Sequence, residues 1–148
     1  MTLQEILTGA LQQLDRGTDA QTVELWRGDL TDIPVAEAVD VLVVSAFPDH
    51  YAPTTGSLIG ALDRRGLSVA KLAEDKEEDL RKSFGCWMSR ELGQLSPGLE
   101  FHRVLCFEPH PKGRPTEVVG DIFRSLAPFL VGDQAIETVA MPLVACGS

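Results

Sequence analysis

The stretch VDVLVVSAF, residues 39–47, constrains this chain more than any other. Four consecutive apolar residues, Val41, Leu42, Val43 and Val44, leave no polar position for a solvated face. A strand with one wet side alternates; a run like this is a strand buried on both faces, and such strands need helices packed over each side of the sheet. FHRVLCFEP, closed by Pro109, is predicted as a second buried strand, and IETVAMPLVA as the last one. TVELWRGDL is a short strand entering a turn at Gly28-Asp29, and FGCWMSREL is another candidate strand.

Between these runs lie helical patterns. Leu3, Ile6, Leu7, Ala10, Leu11 and Leu14 form one apolar stripe, with Thr2 and Glu5 at capping-box spacing and Gly17 as the stop. Pro34 opens a helical turn at VAEA. SLIGALDRRG is a short helix ending at Gly66. The charged tract EDKEEDLRK is expected to be a solvated helix face. Thr116 caps a further helix whose buried stripe is Val118, Val119, Ile122, Phe123, Leu126 and Leu130; Pro128 bends its last turn. Strands alternating with helices predict an α/β fold, a three-layer α/β/α sandwich. Residues 1–20 form the N-terminal amphipathic helix and linker, and residues 21–148 one domain, the size a single core supports.

Composition narrows the function classes. A net charge of −9 and a pI near 4.7 oppose binding of long nucleic acid, whose phosphates need a basic surface. A small anion is still admissible, because backbone amides bind phosphate without lysine. No apolar run reaches membrane-spanning length, and the N-terminus lacks the basic start of a signal peptide. Cys86, Cys106 and Cys146 are odd in number, widely spaced and without a CxxC pair, which indicates a reducing compartment, here the cytoplasm. His50, His102 and His110 show no zinc spacing with them, so neither a metal nor a cofactor is expected.

In sheets of this class ligands sit outside the carboxyl ends of the strands. Three loops qualify: Gly28-Asp29, Ser45 to Ser57, and Ala145 to Ser148. TTGSLIGAL sets hydroxyls and a glycine before a helix, which suits either a phosphate cradle or an ordinary N-cap. In combination, VELWRGDLTDI, VDVLVVSAFPDHYAPTTGSLIGAL, RVLCFEP and VAMPLVACGS resemble a divergent macro domain, the ADP-ribose-binding family, from about residue 23 to 148.

The resemblance implies a mixed sheet and an ADP-ribose-like ligand. Asp29, with Leu30 beside it, would hold the adenine amine. Thr55, Gly56 and Ser57 would line the phosphates, and Ala145, Cys146 and Gly147 the opposite wall. Ser45, Phe47 and Tyr51 would complete the pocket. Macro domains continue beyond this last loop, so the resemblance also implies a fragment of a longer protein with other domains. Ser45-Ala46-Phe47-Pro48 stands where the family has Asn-Ala-Ala-Asn, so the asparagines tied to hydrolysis are absent and a binding module is implied, not a catalyst.

Each residue also has a plainer role. Asp29 suits a turn, Phe47 a core position, and Trp26 and Trp87 packing. Two other functions compete with nucleotide binding. One is an interaction or regulatory domain without a ligand. The other resembles a caspase-like peptidase with Cys146 as nucleophile and His110 or His102 as its partner, although the usual flanking residues are missing.

Overall fold

The structure, a computed structural model, describes residues 22–93, 98–109, 115–131 and 135–142. It is a mixed α/β fold built on one five-stranded sheet. In chain order the elements are β1 (Val39–Ser45), α1 (Leu58–Arg64), α2 (Val69–Glu74), β2 (Lys76–Leu80), α3 (Arg81–Phe84), β3 (Cys86–Ser89), β4 (Phe101–Phe107), α4 (Pro115–Leu126) and β5 (Val139–Ala140). Short 3-10 turns occupy Val35–Glu37 and Ala127–Phe129.

The strands lie in the order β2-β3-β4-β1-β5. β1 is parallel to both neighbours, pairing Val39 with Phe101 through Ser45 with Phe107 on one side and Val41 with Val139 on the other. The β2-β3-β4 half is antiparallel. β1 therefore occupies the interior of the sheet, as its unbroken apolar run requires. Leu42 and Val44 join Ile59 and Leu62 of α1 in one core cluster, together with Trp87, Val104 and Cys106. Val41 and Val43 join Ile122 and Leu126 of α4 in a second cluster, with Met88, Leu105 and Phe107. The side-chain period of two in a strand divides β1 between the two clusters.

Local capping explains where the short helices begin. Ser57 accepts a hydrogen bond from the Gly60 amide at 2.9 Å, and Ser68 accepts one from the Lys71 amide at 3.3 Å. At the far end of α1, Gly66 takes a positive φ of 89°, a conformation that favours glycine.

Four expectations need correction. The stretch Thr22–Leu30 pairs with no strand among the described residues, and Val23, Leu25 and Trp26 are exposed, because their apolar side chains find no sheet to pack on. The charged tract is not a helix face: Lys76–Leu80 is the outermost strand, paired only with β3. Edge strands tolerate charge and are protected by it from further pairing. Phe123 and Leu130, assigned to the buried stripe of α4, are exposed, since the apolar contacts of α4 run through Ile122 and Leu126. The last strand is two residues long within the described part. The N-terminal helix lies outside the described residues. No described helix is long and apolar enough to cross a membrane.

Candidate functional site

The carboxyl ends of the parallel strands β1 and β4 deliver two segments to the same place. The loop from Ala46 to Ser57 leaves β1, and Glu108 follows the last residue of β4. The Ala46 amide bonds to the Phe107 carbonyl at 2.9 Å, so the loop departs along β4. A turn follows, in which the His50 amide bonds to the Phe47 carbonyl at 2.9 Å and Asp49 takes a positive φ of 56°. Phe47 is 78% exposed, although it lies only two residues beyond a buried strand.

Under this loop sits Glu108, whose side chain is 4% exposed. Its Oε1 accepts hydrogen bonds from the Tyr51 hydroxyl and, at 3.2 Å, from Trp87 Nε1. Its Oε2 lies 3.7 Å from Arg81 Nη1. The Glu108 amide bonds to the Gly85 carbonyl at 2.7 Å, which fixes the backbone from which the carboxylate projects. Tyr51 packs edge-on against Trp87, with ring centroids 5.8 Å apart and planes at 88°. Lys76 Nζ lies 5.3 Å from the centre of the Trp87 ring.

Arg81 connects this cluster to the surface. Its Nη1 bonds to Asp49 at 2.7 Å, while Nε and Nη2 grip Asp79 at 2.8 and 2.7 Å. Hydrogen bonds from Arg81 hold the Asp79 carboxyl down at about 2. Burial, reinforced by the bond to Glu108, raises the Tyr51 phenol well above its ordinary value, so at neutral pH it is a protonated donor to the carboxylate. Burial likewise pushes the Cys86 thiol up to about 11 and the Cys106 thiol higher still, which leaves both as unreactive core residues.

The turn at Thr54–Ser57 is tight. The Ser57 amide and hydroxyl both donate to the Thr54 carbonyl, at 3.2 and 2.8 Å. A helix leaves four first-turn amides unpaired, and Ser57 Oγ takes the one on Gly60. Gly60 itself is required: a Cβ there would lie 2.1 Å from the Thr54 carbonyl oxygen. Gly56 has a φ of 83° with open space around it. Ser57 is thus committed to capping, and Thr55 and Gly56 are exposed.

Asp29 lies elsewhere. Its Oδ1 accepts from both the amide and the hydroxyl of Thr31, at 2.8 and 2.7 Å. The Thr31 amide is the main cause of its lowered pKa; Arg65 and Arg64, at the C-terminal end of α1, lower it further. Leu30 packs against the cluster that contains Ile59 and Leu62. Phe47 and Tyr51 therefore lie in the loop that follows Ser45, Thr55 to Ser57 precede the N-terminal end of α1, and Asp29 lies toward Arg64 and Arg65 at its C-terminal end. Ala145, Cys146, Gly147 and His110 lie outside the described residues, and His102 is an exposed residue of β4.

Glu108, Arg81 and the polar role of Trp87 have no counterpart in the motif reading. The available signal was a lone acidic residue directly after a buried strand, in CFEP. Among the described residues, no group of three or more His, Cys, Asp or Glu side chains could hold a metal ion. Compared with known proteins, the chain matches no family model, no curated protein and no solved structure.

Proposed function

We propose that this chain is a recognition module for ADP-ribose or a related NAD-derived nucleotide, built as an α/β/α sandwich of the macro-domain kind. The carrying observation is the exposed ring of Phe47, on a pinned loop at the carboxyl end of an interior parallel strand. That is where α/β folds receive ligands, and a flat apolar surface there suits a planar or sugar-bearing guest. The turn at Thr55–Ser57 faces the phosphates. Asp29 takes the adenine amine through Oδ2, since Thr31 uses Oδ1. The seven residues of α1 rise about 10 Å, so a ligand that reaches both ends of this helix is elongated, as a diphosphate with a sugar at each end is. Binding is the activity, because Ser45-Ala46-Phe47-Pro48 supplies none of the asparagines tied to hydrolysis in that family.

Thermal denaturation with added ADP-ribose tests the reading. A ligand at a hundredfold excess over Kd adds about 2.7 kcal/mol to the folded state, a rise in Tm of roughly 9 °C for a domain of this size. Phe47→Ala should abolish most of that rise while leaving the unliganded Tm unchanged. No shift with ADP-ribose or NAD at millimolar concentration points to a domain that binds other proteins. The exposed Phe123, Leu130 and Val131 favour that second reading.

A further inference from the structure

Glu108 is the only charged side chain buried among the described residues. A carboxylate removed from water is tolerated only where donors replace its hydration. Two of its partners belong to the frame: Trp87, a donor on β3, and Arg81, whose guanidinium lies 3.7 Å away, opens α3 and is anchored by Asp79. The third, the Tyr51 hydroxyl, belongs to the β1–α1 loop. The same Arg81 also holds Asp49, two residues before Tyr51 and at the one positive φ of a non-glycine among the described residues. A backbone conformation of that kind persists where its surroundings enforce it.

We infer that Glu108 and Arg81 are positioning residues that latch the loop at two points, Tyr51 and Asp49, and so set how Phe47 is presented at the rim. The consequence for ligand affinity rests on the nucleotide reading; the latch does not. Neither residue touches the ligand. The buried carboxylate restrains the loop from beneath, and the guanidinium restrains it from the side.

Hydrogen exchange on the full chain without ligand, followed by titration with ADP-ribose, tests both parts. Tyr51→Phe keeps the ring against Trp87 and removes only the donor to Glu108. Amides of Phe47 and of residues 49–51 should then exchange on the order of tenfold faster, while those of β4 keep their wild-type rates. Asp49→Ala changes an exposed residue that cannot unfold the core, and should raise exchange in the same segment by roughly threefold. Affinity for ADP-ribose should fall several-fold in both variants.

Unchanged exchange in both variants overturns the latch, as does uniform acceleration across the whole chain. A loosened loop with unchanged ADP-ribose affinity overturns the positioning role. A loosened loop in a protein whose wild type binds no ADP-ribose supports the latch and refutes the nucleotide reading alone.

Discussion

Asp29 and Glu108 are both carboxylates that end or follow a sequence segment read as a strand, yet they have little else in common. Asp29 is exposed and satisfied locally, by the amide and hydroxyl of a residue two positions on. Glu108 is buried and satisfied only by distant residues, through Tyr51, Trp87 and Arg81. The first arrangement can form in a short peptide. The second exists only once β3, β4, α3 and the β1–α1 loop have assembled. What a carboxylate can do here follows from its depth in the fold more than from the residues beside it.

The largest expected effect falls on the deep site. Glu108→Ala leaves the Tyr51 and Trp87 donors without their acceptor, removes the carboxylate 3.7 Å from Arg81, and should destabilise the protein by about 3 kcal/mol. Urea denaturation should show a lower midpoint with an unchanged slope, and Glu108→Gln, which keeps an acceptor oxygen, should recover part of the loss. A midpoint within error of wild type would remove the distinction between the two carboxylates.

A middle effect is expected where the loop meets α1. Gly60→Ala drives a methyl into the Thr54 carbonyl, and such overpacking costs about 1–3 kcal/mol. Because the strained neighbour is the Thr54–Ser57 turn, this variant should also lose ADP-ribose affinity by more than its stability loss alone explains. Equal binding in wild type and variant would detach that turn from the site.

The smallest effect belongs to Asp29. Asp29→Ala should change stability by about 0.5 kcal/mol or less, and weaken adenine-containing ligands selectively. Its pH signature has a definite sign. Asp29, Asp40 and Asp79 all have folded-state pKa values below the ordinary 3.8. For Asp40, burial opposes the shift, but bonds from the Glu137 and Thr138 amides outweigh it. A depressed carboxylate stabilises the fold above its unfolded pKa, and that contribution disappears as pH falls through the folded value. Stability should therefore decline between about pH 4 and pH 2, where Asp79 titrates. Asp29→Ala should flatten this acid limb only slightly, which an acid titration followed by far-UV dichroism would measure.

Much of the architecture was legible from local pattern. Consecutive apolar residues marked β1 and β4 as buried strands, and Ser57 was readable as a cap because its partner lies three residues away. The failures share a cause. Lys76–Leu80 has a charged sequence that suits a solvated helix, and its pairing with β3 is decided by the neighbouring strand. Thr22–Leu30 has strand-forming residues but no strand to join among the described residues. In the candidate site, Phe47 and Tyr51 were recognisable as aromatic residues in a polar loop. Glu108 was not, because a single acidic residue before a proline carries no periodicity and no motif.

From the chain's order of residues alone follow the interior position of β1, the class of fold, and the capped start of α1 at Ser57, since these depend on neighbours within a turn or two. Three-dimensional packing alone chose which carboxylate is buried and what holds it. Tyr51 and Glu108 are 57 positions apart, and Trp87 and Glu108 are 21 apart. Hydrogen bonds at such separations form only after the sheet has paid the entropy of closing the intervening chain, so no local pattern records them in advance.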